Sequence, residues 1–136
     1  MSLNSRIMYV ELKSDGLSGE GRIVRVRYSK TGKTIYYGDR VLVSTRSTPL
    51  KANFYDEKSL EDFWVSGPKK DGTDSLFPAT INIDDEVREE YWINIRDLAE
   101  NKLKASYKSP GYPKAERAKI EKGLRRRQMD NGWMPT

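Results

Sequence analysis

The sequence predicts a mainly β, α+β domain: an antiparallel meander forming a small barrel or bent sheet, with one packed helix over about 84–100 and a basic C-terminal helical tail. Three observations predict it. In "RIVRVRY", residues 22–28, Val24, Val26 and Tyr28 alternate with Arg25 and Arg27, the period of a strand with one face in the core and one in water. Turn-forming residues then recur at short intervals, at Gly32 and at Gly38-Asp39. Finally, Val87, Tyr91, Ile95 and Leu98 recur at helical spacing, with Trp92 beside that stripe.

The elements follow in order. "RIMYVEL", residues 6–12, is rich in β-formers and reads as a first strand; "KSDGLSGEG", residues 13–21, reads as a loop. "YSKTGKTIYY", residues 28–37, contains Gly32-Lys33-Thr34, the last letters of a phosphate-binding loop. That loop needs a glycine five positions earlier and a helix after it, because backbone N–H groups and a helix N-terminus hold the phosphate. Here Arg27 stands at the glycine position and the β-forming "IYY" follows. The segment is therefore a hairpin turn, with Gly32 supplying a positive φ. Gly38-Asp39 has the composition of a two-residue type II′ turn, so residues 22–45 form a three-stranded meander. "KANFY", 51–55, and "LEDFWVS", 60–66, flank a polar turn as another hairpin. "SGPKKDGTDSLFP", 66–78, is a long polar connection before the short strand "ATINI". Asp84 is a candidate cap of the helix, and Asp85 and Glu86 suit its positive end. The expected core holds Val24, Val26, Tyr28, Ile35, Val41, Val43, Phe54, Trp64, Val87, Tyr91 and Ile95.

Residues 6–100 read as a single globular domain, and 101–136 as a basic linker, "KASYKSPGYP", and tail helix with only a thin apolar face. Charge follows the same division. Residues 1–96 hold 15 basic and 15 acidic side chains, which cancel; residues 97–136 hold 10 and 5, and so carry the whole net charge of +5. Such asymmetry points to an anionic partner. With no cysteine and no histidine, disulfides, thiolate or histidine metal centres and serine–histidine triads are excluded. The sequence points away from an enzyme: it names no catalytic residue, no cofactor and no metal ligand set. No apolar run approaches a membrane span, and the first residues lack a signal-peptide pattern, so a cytoplasmic protein is expected.

Four clusters are candidates for chemistry. The tail carries Lys114, Arg117, Lys119, Lys122, Arg125, Arg126 and Arg127, a sequence-independent attraction for phosphate backbones. Lys69 and Lys70 stand on a Gly/Pro-framed loop beside Trp64, with Asp71 and Asp74 as counter-charges or weak metal ligands. Arg22, Arg25 and Arg27, with Lys33 across the hairpin and Tyr36 among them, offer a basic, aromatic sheet face of the kind that clamps nucleic acid. Asp84, Asp85, Glu86, Glu89 and Glu90 form a carboxylate pool better suited to an exposed helix start than to catalysis.

Taken together, "SKTGKTIYY", "KANFYD", "FWVSGPKKDG" and "EVREEYWINIR" resemble a family of small uncharacterised bacterial proteins over residues 8–96. Some sequences similar to it bear the name of a deoxyxylulose-phosphate synthase. Such thiamine-diphosphate enzymes need a Gly-Asp-Gly motif with a downstream asparagine, and Lys70-Asp71-Gly72 is the nearest stretch here. The residues oppose that name. The sequence thus supports a non-catalytic binding module for an anionic partner, with nucleic acid foremost, contacted by Arg25, Arg27, Lys33, Lys69, Lys70, Arg125, Arg126 and Arg127. Two alternatives stand beside it: a protein-interaction domain docking through its tail helix, and a histidine-free enzyme acting on a phosphorylated small molecule.

Overall fold

The computed structural model describes residues 4–13, 20–45 and 52–113. Its strands are β1 (Asn4–Leu12), β2 (Gly21–Tyr28), β3 (Thr34–Tyr37), β4 (Arg40–Ser44), β5 (Phe54–Asp56), β6 (Asp62–Ser66), β7 (Ala79–Ile83) and β8 (Ser106–Ser109). The first six pair antiparallel in sequence order, and β6 returns to pair with β1, closing a barrel. Two residues of β2, Arg22 and Ile23, also pair in parallel with β7, and β7 carries β8 as an antiparallel outer strand.

The turns form as their residues dictate. Gly32 has φ +75°, its N–H donates to the Ser29 carbonyl, and Ser29 N–H donates to Thr34 O, closing the β2–β3 hairpin. Between β3 and β4, Gly38 alone of its pair has positive φ, +58°, which is the type II′ pattern.

Two cores sit on either side of the barrel wall. Val10, Val24, Val26, Ile35, Leu42, Phe54, Phe63 and Val65 fill the barrel. Ile7, Tyr9, Ile23, Ile81, Ile83, Val87, Tyr91, Trp92 and Tyr107 form a second core outside it, between β1–β2, the β7–β8 ribbon and the helical segment 85–95. Strand β2 supplies both, Val24 and Val26 facing inward and Ile23 outward.

Several expectations are corrected. On β4 the core residue is Leu42, and the expected Val41 and Val43 are only half-buried; β4 pairs Leu42 with Ile35, which sets Leu42 on the inner face. On β6 the inner residues are Phe63 and Val65, so Trp64 packs against the outer core instead. The helix is shorter than 84–100 and irregular: a 3-10 turn at Asp85–Val87, an α turn at Arg88–Glu90 and a π turn at Tyr91–Ile95. It stops where Asp97 takes a left-handed conformation, φ +57°. Asp84 occupies the cap position without a side-chain cap bond, its carboxylate reaching Arg22 at 3.4 Å. The expected linker after residue 100 instead contributes β8, because Tyr107 and Ser109 alternate inward. The folded body therefore runs past 100, through Tyr112, whose N–H donates to Leu76 O. The tail helix over 114–128 lies outside the described residues.

Candidate anion-binding site

The connection between β6 and β7 is built inward as well as outward. Asp74 is buried, its Oδ1 accepting the Lys69 N–H at 2.8 Å and its Oδ2 accepting the Tyr107 hydroxyl at 2.6 Å. Burial pushes its carboxyl above the usual aspartate range, with the Tyr107 and Lys69 hydrogen bonds opposing that rise. Burial pushes the Tyr107 and Tyr91 phenols up as well. A second anchor lies downstream, where Ser75 Oγ donates to Phe77 O at 2.7 Å. Held at both points, the connection displays Lys69 and Lys70 at its tip. Lys69 Nζ lies 4.2 Å from the centre of the Tyr112 ring. Asp71 is turned into its own loop, accepting the Thr73 N–H at 2.9 Å, and that bond holds its carboxyl below the usual range.

Arg96 meets this loop from the end of the helical segment. Its guanidinium carbon lies 5.9 Å from the Tyr91 ring centre, 5.1 Å from Trp92 and 5.1 Å from Tyr107. Its Nη1 donates to the Tyr91 hydroxyl at 2.9 Å. Tyr91 and Tyr107 are themselves stacked, with centres 5.5 Å apart. Gly72 closes the cage: with φ +78° and no side chain it lets the guanidinium through, and a Cβ there would sit 2.7 Å from Arg96 Nη1. Lys69, Lys70, Asp71, Arg96 and Leu98 line one shallow, open depression of about 550 Å³. Among the described residues no carboxylate is ion-paired with Lys69, Lys70 or Arg96.

The expected cations thus separate. Lys69 and Lys70 are brought together, and Arg96 joins them. Arg25 does not: its Nε and Nη2 bond Glu86 and Glu90, each at 2.8 Å, so helix carboxylates already neutralise it. The same bonds consume part of the acidic pool, and Asp85 pairs with Arg88. Arg22 leaves the expected basic face altogether, sharing its side of β2 with Val24 and Val26 and lining the barrel mouth with Leu12, Tyr37 and Arg40. Arg27 is exposed on the outer face opposite Tyr36, and Lys33 is exposed in the β2–β3 turn. Arg125, Arg126 and Arg127 lie outside the described residues.

Two other charged clusters are structural. At the barrel mouth Arg40 Nη1 bonds Asp56 at 2.7 Å and Glu61 at 3.0 Å; the Lys58 N–H and Arg40 together hold the Asp56 carboxyl below its usual range. On the outer face of β1 the Tyr9 hydroxyl donates to buried Glu11, and Lys13 Nζ lies 2.6 Å from the same carboxylate. Those charges are desolvated and matched by each other. No group of three or more acidic side chains positioned to hold a metal ion occurs among the described residues.

Sequence reasoning missed Arg96. The available signal was its position four residues after Trp92, which places it beside that ring on a helix; Tyr91, five residues before it, joins them through the π turn. No protein-family model, curated protein or solved structure matches this chain.

Proposed function

We propose that the protein is a non-catalytic binding module for an anionic partner, and that the partner is a nucleic acid. One observation carries this: Lys69, Lys70 and Arg96 converge on a single open depression while, of the two nearby carboxylates, Asp74 is turned into the core and Asp71 accepts a hydrogen bond from its own loop. The other described candidates are spent on carboxylates, as Arg25 is, or stand apart in the β2–β3 hairpin, as Arg27 and Lys33 do. Lysines on a pinned loop, beside an arginine held among aromatic rings, gain phosphate contacts at little ordering cost. The tyrosine beneath Lys69 adds a partly exposed ring, a surface on which a base can stack.

The test is fluorescence anisotropy of the full chain with labelled single-stranded RNA and DNA, between about 50 and 200 mM salt. Binding should weaken steeply with salt. Lys69→Ala/Lys70→Ala should reduce the slope of log K against log salt by about 1.4, at ~0.7 per neutralised phosphate charge on a single strand. Arg125→Ala/Arg126→Ala/Arg127→Ala separates any tail contribution from that of the body. Absence of binding to every probe at low salt, or an unchanged affinity in the Lys69/Lys70 variant, would sink the proposal.

A further inference from the structure

We infer that the Lys69–Lys70–Arg96 depression takes the dianionic phosphate of a phosphomonoester, such as the 5′ end of a strand, in preference to the singly charged diesters of its backbone. This inference rests on the anion-binding proposal above and narrows it to one chemical group.

Charge count is the first argument. The depression is lined by three cations, Lys69, Lys70 and Arg96, and by one carboxylate, Asp71, which leaves two positive charges to be met. A monoester above its second ionisation, near pH 6, brings two negative charges; a diester brings one. A depression lined by five residues is also a local pocket for one group, not a groove that tracks several phosphates.

The second argument is preorganisation. Arg96 is not a solvated surface side chain: three aromatic rings and the bare Gly72 backbone fix its plane, and Tyr91 takes Nη1. Among the described residues the buried Arg96 Nε meets no acceptor. A planar guanidinium held still, with a donor unspent, is suited to the several oxygens of a terminal phosphate. Both flanking lysines then complete the charge without needing defined geometry.

The experiment compares two labelled oligonucleotides of one sequence, one with a 5′ phosphate and one with a 5′ hydroxyl, on the full chain at constant ionic strength. The phosphorylated probe should bind about tenfold more tightly or better, the worth of a charge-assisted contact. Arg96→Lys keeps the charge and loses the planar fork, and should cut the preference to about threefold or less. Gly72→Ala should do the same with no change in charge, by displacing the guanidinium. Urea midpoints establish that both variants fold. Should either fail to fold, the parent chain still decides, through pH. Acidification cannot remove the charges of Lys69, Lys70 or Arg96 or ionise Tyr91 or Tyr107, and protonating Asp71 or Asp74 would strengthen phosphate binding. A preference that falls as pH drops through about 6 therefore reports the probe's own phosphate going from two charges to one. Equal affinity for the two probes at pH 7.5 overturns the inference and leaves the anion-binding proposal standing; binding of neither overturns both.

Discussion

Replacing Leu42 by alanine tests the register of the barrel more directly than any other change. Leu42 is fully buried inside the barrel, opposite Ile35 on β3. The substitution removes three buried carbons, worth about 0.8 kcal/mol each, or about 2.4 kcal/mol in transfer. A closed barrel wall cannot collapse onto the gap, so the cavity raises the cost to about 3–4 kcal/mol. Its neighbour Val43 faces the other way and is half-buried, so Val43→Ala should cost about 1 kcal/mol or less. Urea unfolding followed by far-UV circular dichroism reads both. With a slope of about 2 kcal/mol per molar, Leu42→Ala should lower the midpoint by about 1.5–2 M and Val43→Ala by about 0.5 M or less. A Val43 variant as damaged as the Leu42 variant would place β4 in the opposite register and refute the argument.

Two further outcomes follow from the outer layer. A Cβ at Gly21 would collide with the Tyr9 phenol, so Gly21→Ala should cost about 1–3 kcal/mol by overpacking; a variant as stable as the parent in urea would contradict it. Asp74→Asn should reveal a titration. Because burial raises the folded-state value, the fold favours the protonated acid: that contribution is present below about pH 4 and is lost as pH rises through the raised value. Relative to Asp74→Asn, the parent should lose stability across that window and then level off, and urea midpoints that stay in constant offset from pH 4 to 8 would show the carboxyl is not perturbed.

Much of the architecture was legible because its signals are local. Alternation in residues 22–28 and the turns at Gly32 and Gly38 need only neighbouring residues to be read, and each stands where those signals put it. The choice between Val41/Val43 and Leu42 was not local. "RVLVS" is apolar on both faces, and only pairing with β3 decides which face turns inward. Trp64 was misplaced for a related reason: with a second core outside the barrel, both faces of β6 find apolar company. β8 was hidden by its Pro/Gly surroundings and its single large apolar residue, Tyr107. At the candidate site, Lys69 and Lys70 were visible as a charged loop, whereas their convergence with Arg96 joins residues more than 25 positions apart and depends on the fold. Arg25 shows the converse: alternation correctly set it on the outer face, but could not reveal that Glu86 and Glu90 were waiting there.

The double duty of β2 restricts how this chain can change length. Successive side chains along it serve opposite sides of one wall, Ile23 outward, Val24 inward, Arg25 outward, Val26 inward. One residue inserted ahead of Ile23 would exchange the two sets, sending Arg25 into the barrel and stripping Glu86 and Glu90 of their partner. Neither core could absorb the exchange, because each would receive the other's side chains. The turns at Gly32 and Gly38 face open space and carry no such constraint. Length variation in this fold therefore belongs to its hairpin tips, and β2 is the segment whose spacing must be kept.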